Sequence, residues 1–129
     1  MRREFAVPVE EVEGFEPLYQ NWEALKNGQT NWLLIRGFPI PTGYNVNAVD
    51  LAVQILPGYP RERLDMVYVF PALKLVKGRT IPTVDVTHMI DGRAFQRWSR
   101  HYNWDSARHN ISIHLQFASE WFERELTRT

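Results

Sequence analysis

Val49, Leu51, Val53 and Ile55 alternate with Asp50, Ala52 and Gln54. A period of two with one apolar side predicts a strand from Val49 to Ile55. Asp65 to Phe70 predicts another, with Met66, Tyr68 and Phe70 on one side and Val67 and Val69 on the other. Apolar residues on both sides imply burial on both, with a helix laid over the sheet. Asn31 to Phe38 is a third strand-like run. Between the first two lies Leu56-Pro57-Gly58-Tyr59-Pro60, and the later strand closes in Phe70-Pro71. Proline fixes φ and cannot donate to a ladder, so this corner ends the earlier strand and presses Tyr59 onto the body of the domain.

The other elements follow from weaker patterns. Residues 1–14 read as an arm, polar and acidic around Pro8. Phe15, Leu18, Trp22 and Leu25 fall at helical spacing and predict a short helix over Phe15–Lys26. The competing reading makes Asn27-Gly28 a hairpin turn and Trp22–Lys26 a strand. Pro71–Ile81 reads as a short edge piece, turning at Lys77-Gly78. No period holds from Pro82 to Asn110, a length that marks a functional loop region, with one helical turn expected in Ala94–Tyr102. Ile111, Leu115, Ala118, Phe122 and Leu126 predict a closing helix over Ile111–Leu126, with Asn110 as its N-cap. The order implies α+β: an antiparallel four-stranded β-meander flanked by helices, with a long loop before the C-terminal helix.

Composition narrows the chemistry. The 129 residues, 44% hydrophobic, suit one domain over 1–129 with a buried core. Lysine plus arginine and aspartate plus glutamate both number 15, so no global field draws nucleic acid or anionic membrane. No apolar run approaches the roughly 20 residues that span a bilayer, and the N-terminus lacks a signal-peptide pattern. A cytoplasmic location is expected. With no cysteine, disulfides, thiolate metal sites and a cysteine nucleophile are excluded. His88, His101, His109 and His114 lack close ligand spacing, so no metal is expected, and without a glycine-rich phosphate loop no cofactor is either.

The Tyr59-Pro60 corner, the closing Phe70-Pro71, the long loop with Gly92, and Trp104 ahead of the last helix together resemble the ubiquitin-conjugating (E2) fold. Gln96-Arg97-Trp98-Ser99-Arg100-His101 followed by Trp104, with Asp65-Met66 and the run from Trp32 to Pro39, Pro41 and Gly43-Tyr44, is similar to prokaryotic E2 family E. The resemblance spans residues 30–126 and implies a role in a bacterial ubiquitin-like conjugation pathway. The implied partners are a ubiquitin-like protein and an activating (E1) enzyme; no membrane is expected, and the balanced charge disfavours nucleic acid. Val84-Asp85-Val86-Thr87-His88 stands where the family pattern has His-Pro-Asn, and the cysteine slot falls at Phe95 or Gln96. Neither residue is a nucleophile.

An acyl carrier without cysteine must use a hydroxyl, which needs a base within hydrogen-bond reach. Ser99 is the nearest hydroxyl to that slot, with His101 or His88 as base; Thr87 and Ser106 are weaker candidates. Arg93, Arg97, Arg100 and Arg108, with Trp98 and Trp104, are the expected contacts for the partner's carboxyl-terminal tail. Asp85, Asp91 and Asp105 are candidate salt partners or histidine-orienting groups. The plainer reading has Ser99 and His101 bracing the loop and the arginines stacking on Trp98. Three functions follow: an E2-like acyl transferase working through an oxyester, a non-catalytic E2-variant scaffold, or a small nucleic-acid- or ligand-binding domain.

Overall fold

In the computed structural model, which describes residues 1–128, the chain runs α1 (Val9–Phe15), β1 (Trp22–Asn27), β2 (Thr30–Pro39), β3 (Ala48–Ile55), β4 (Val67–Phe70), β5 (Thr87–Ile90), β6 (Arg93–Trp98) and α2 (Ile111–Thr127). The six strands among the described residues form one antiparallel sheet in the order β1-β2-β3-β4-β6-β5. The class is α+β, compatible with an E2-like fold. The expected four-stranded meander is corrected to six strands.

Both added strands sit where other structure was expected. The hairpin reading of Trp22–Lys26 holds and the helix over Phe15–Lys26 does not. Trp22 pairs with Ile35 and Leu25 with Trp32 across β1 and β2, while Leu18 stays 77% exposed, so the helical spacing had no common face to bury. The second correction is the stretch 82–110, where β5 and β6 form a hairpin turning at Asp91-Gly92. Both turn residues have positive φ, 52° and 80°, as a two-residue loop of type I′ demands. Ala94–Tyr102, expected to carry a helical turn, mostly belongs to β6. The Pro71–Ile81 segment contributes an isolated bridge, Leu75 to Tyr44, rather than an edge strand. Within residues 1–14 the chain forms α1, and Arg2 and Glu4 exchange backbone hydrogen bonds with Ala24 along β1.

The two faces of the sheet are buried by different means. One is covered by the helices: Phe15, Ile111, Leu115, Ala118 and Phe122 join Leu33, Ile35, Leu51, Val53, Val67, Val69 and Trp98 in the main core. The other carries Leu25, Trp32, Leu34, Ala52, Tyr68, Ile90 and Phe95. No helix residue enters that second cluster, so the sheet must bury it by curling. The Asn27 amide closes the curl, donating to the Met89 carbonyl at 3.2 Å and accepting from the Asp91 N–H at 3.2 Å, which links β1 to the far edge of the sheet.

α2 begins as its sequence requires. The Asn110 side chain accepts from the Ile113 N–H at 2.9 Å, satisfying an otherwise free donor of the first turn. Glu11 of α1 takes a second such donor, the Ile111 N–H, with one carboxylate oxygen, and the Tyr59 hydroxyl with the other. The corner, α1 and the start of α2 are thus tied at one carboxylate. Among the described residues no helix is long and apolar enough to cross a membrane.

Candidate functional site

β6 ends at Trp98, which is fully buried with its ring 4.8 Å from that of Phe122 and nearly perpendicular to it. With Trp98 pinned inward, the pleat turns the next residue, Ser99, the other way. Val67 pairs with Trp98 across β4 and β6. Continuing that antiparallel register carries Met66 opposite Ser99 and brings Asp65 alongside Arg100 and His101. Met66 sulfur lies 3.7 Å from Ser99 Oγ, as that placement requires. Residues separated by more than thirty positions therefore meet because two strands end at the same level.

Ser99 Oγ stands 3.3 Å from His101 Nε2, and His101 Nδ1 stands 2.8 Å from Asp65 Oδ1. A carboxylate only accepts, so Nδ1 carries the proton, and neutral His101 then presents the Nε2 lone pair to the Ser99 hydroxyl. This is the bond order needed for a histidine base acting on a serine, with the carboxylate fixing tautomer and ring orientation. The Ser99–His101 separation is slightly long for the transfer itself, as such contacts commonly are before substrate is bound. Asp65 also receives Arg63 at 3.4 Å. A cleft of about 120 Å³ lined by Gln54, Leu56, Arg63, Asp65 and Met66 adjoins the carboxylate.

The serine's backbone is held from behind. Its N–H donates to the Thr83 carbonyl at 3.2 Å. Arg100 donates to Thr83 Oγ1 at 2.8 Å and to the Ser99 carbonyl at 3.2 Å. The same guanidinium reaches buried Glu125 of α2 at 3.3 Å, where Arg79 and Arg128 also converge. Burial depresses the Arg100 pKa from its ordinary value, and the Glu125 carboxylate opposes that shift.

The remaining sequence candidates separate into those near this group and those away from it. His88 lies on β5 opposite Phe95, its ring inclined to those of Trp32 and Tyr68 at 5.4 and 5.6 Å. Four strand residues past Phe95 bring the chain to Ser99, about 13 Å on at the usual rise. As a base for Ser99, His88 is therefore corrected. Trp98 is corrected as a partner contact, since its wholly buried ring cannot touch another molecule. Arg93 is at the far end of β6, paired with Asp50 at 2.9 Å and lying over Phe70 and Phe95. Arg97 sits opposite Tyr68, its Nε buried without a hydrogen-bond partner. Trp104 is half-buried, donating to the Pro60 carbonyl at 2.9 Å beside Tyr59. Thr87 and Ser106 are exposed, and neither hydroxyl is hydrogen-bonded to a histidine.

The two positions counted as the cysteine slot are strand residues, not loop residues. Phe95 is in the curled cluster, and the Gln96 amide faces the main core, holding Leu73 by its N–H at 2.9 Å and its carbonyl at 3.2 Å. A nucleophile at either position would be buried, whereas Ser99 is partly exposed just beyond. Asp91, a candidate orienting group, instead pairs with Arg2 at 2.7 Å, whose hydrogen bond holds the Asp91 pKa below the carboxylate range. Asp65 is the residue that sequence reasoning missed as an orienting group. No local signal could have found it, because its partner is 36 residues away. Among the described residues no three histidine, aspartate or glutamate side chains converge as metal ligands.

Residues 9–125 match the model of a protein family described as prokaryotic E2 family E. No curated protein and no solved structure matches the chain.

Proposed function

The chain belongs to prokaryotic E2 family E, and on that premise we propose that it is an acyl transferase of a bacterial ubiquitin-like conjugation pathway, carrying the ubiquitin-like carboxyl terminus as an oxyester on Ser99. The observation that carries the reading is the Ser99–His101–Asp65 relay, with its two hydrogen bonds of 3.3 and 2.8 Å. The acyl donor is a thioester of the ubiquitin-like protein on its activating enzyme. Ser99 Oγ attacks the thioester carbonyl while its proton passes to His101 Nε2. The C–S bond then breaks and the departing thiolate takes that proton. Asp65 stabilises the imidazolium between the two events. Transfer onward reverses the roles: an amine attacks the ester, its proton moves to His101, and His101 returns a proton to the leaving Ser99 Oγ.

The second reading is a scaffold that binds the ubiquitin-like protein or its activating enzyme without forming a bond. One observation favours it: the Ser99 N–H is already spent on the Thr83 carbonyl and does not face a developing oxyanion. Incubation with the activating enzyme, ATP and the ubiquitin-like protein separates the two. The oxyester reading expects an adduct labile to hydroxylamine or alkali, resistant to mild thiol reductant, and absent in Ser99→Ala. Stable binding with no adduct selects the scaffold. Salt-dependent binding of single-stranded nucleic acid with neither protein bound sinks both.

A further inference from the structure

Asp65 and His101 lie in coil, one just before β4 and the other just after β6, and neither is held in a ladder. Something must keep them at bonding distance. The residue after each is tied to one imidazole: His114 of α2, with 0% exposure. His114 Nε2 lies 2.9 Å from the Met66 carbonyl, and His114 Nδ1 lies 2.6 Å from the Tyr102 hydroxyl. A carbonyl only accepts, so Nε2 carries the proton. Neutral Nδ1 therefore accepts from Tyr102, and both hydrogen bonds are satisfied at once.

We propose that His114 and Tyr102 are positioning residues for acyl transfer at Ser99, with the His114 ring clamping the Asp65–Met66 step to the His101–Tyr102 step so that carboxylate, imidazole and hydroxyl stay in line. The inference rests on the reading of Ser99 as acyl acceptor. Three further observations agree with it. Met66 is held at φ 55°, a left-handed conformation costly for a side chain without a polar tip, and its carbonyl is the atom that His114 binds. Tyr102 packs among His109, His114 and Phe117, with centroid separations of 4.9 to 5.6 Å, so its hydroxyl has little freedom to aim elsewhere. Burial also pushes the His114 pKa down to about 4, which keeps the ring neutral and its bonding pattern fixed.

The test uses the full chain and a fluorophosphonate probe, which labels an activated serine: Oγ attacks phosphorus, fluoride leaves, and the serine proton passes to His101. Labelling rate is followed against probe concentration in wild type, Ser99→Ala, Tyr102→Phe, His114→Ala and His114→Gln. We expect wild type to label and Ser99→Ala not to. Tyr102→Phe should lower the saturating rate about tenfold with the half-saturating probe concentration unchanged. His114→Gln, which keeps one donor and one acceptor, should label faster than His114→Ala. Folded Tyr102→Phe that keeps the wild-type saturating rate overturns the clamp and leaves Ser99 as acceptor, and this outcome decides even where His114→Ala does not fold. Wild type that fails to label, or a label that survives Ser99→Ala, overturns the Ser99 reading and the clamp with it.

Discussion

Two imidazoles that bind adjacent residues, one Asp65 and the other Met66, make the same kind of two-ended bridge. His101 links Ser99 to Asp65 at the surface, its side chain 58% exposed. His114 links Tyr102 to Met66 with no exposure at all. The difference is which nitrogen carries the proton and what surrounds it. At His101 a carboxylate holds the proton on Nδ1, and the ring lies open to solvent. At His114 a carbonyl holds the proton on Nε2, and burial opposes charging. The exposed bridge therefore leaves its Nε2 open to the Ser99 hydroxyl, while the buried one is built to stay neutral and keep its shape. Under the proposed function, reactivity and rigidity fall to separate rings.

Substitutions should split along that line. Asp65→Asn replaces an acceptor-only carboxylate with an amide that can donate to Nδ1, so the His101 tautomer is no longer fixed, and fluorophosphonate labelling of Ser99 should fall on the order of 10⁴-fold. Its free energy of urea unfolding should stay within about 0.5 kcal/mol of wild type, since an exposed histidine pair contributes little to stability. A loss of several kcal/mol in that variant would merge the two rings into one structural cluster. His114→Ala should do the reverse in magnitude. It empties a buried site and strands the Met66 carbonyl and Tyr102 hydroxyl, costing about 4 kcal/mol by denaturant unfolding.

The pH dependence is the next largest effect. His114 titrates near its ordinary value of 6.5 when unfolded and at about 4 when folded, because burial penalises the charged ring. Between those values the unfolded chain binds the extra proton, so stability falls as pH falls. The contribution is complete above about pH 6.5 and is lost below about pH 4. It amounts to about 3 kcal/mol at 1.36 kcal/mol for each unit of displacement. The charged and titratable groups near the ring, Asp65 and His109, pull in opposite directions and are both minor beside burial. Unfolding of wild type and His114→Gln at pH 7, 5.5 and 4.5 isolates the slope, which the variant should lack and His101→Ala should keep.

Legibility in the sequence differed sharply between elements. The alternation at Val49–Ile55 became β3 almost residue for residue, and Asn110 capped α2 as its side chain predicts. Local chemistry fully specifies such features. The Asp91-Gly92 turn was equally legible, as an Asp-Gly pair between short apolar stretches, yet the surrounding irregularity hid it and the hairpin was read as loop. Trp22 and Leu25 misled for another reason: their helical spacing is real, but strand pairing to Ile35 and Trp32 buries both, which a short amphipathic helix could not. Ser99 and His101 were visible as a Ser-x-His pair. Trp98, one residue away, is expected as a partner contact because a run of polar neighbours says nothing about which way a pleat faces.

The chain by itself determined the α+β class, the absence of a thiol, and the Ser-x-His pair as the place to look for its replacement. The Tyr59-Pro60 corner and the spacing that follows it were enough to suggest the family. Only the tertiary structure supplied Asp65 as the third member, because bringing it to His101 depends on β4 and β6 pairing in one register and ending level. Only the tertiary structure distinguished the two histidines as well. In the chain they are equivalent imidazoles, and what makes one a candidate base and the other a neutral clamp is depth below the surface, which only the packing of α2 against the sheet sets.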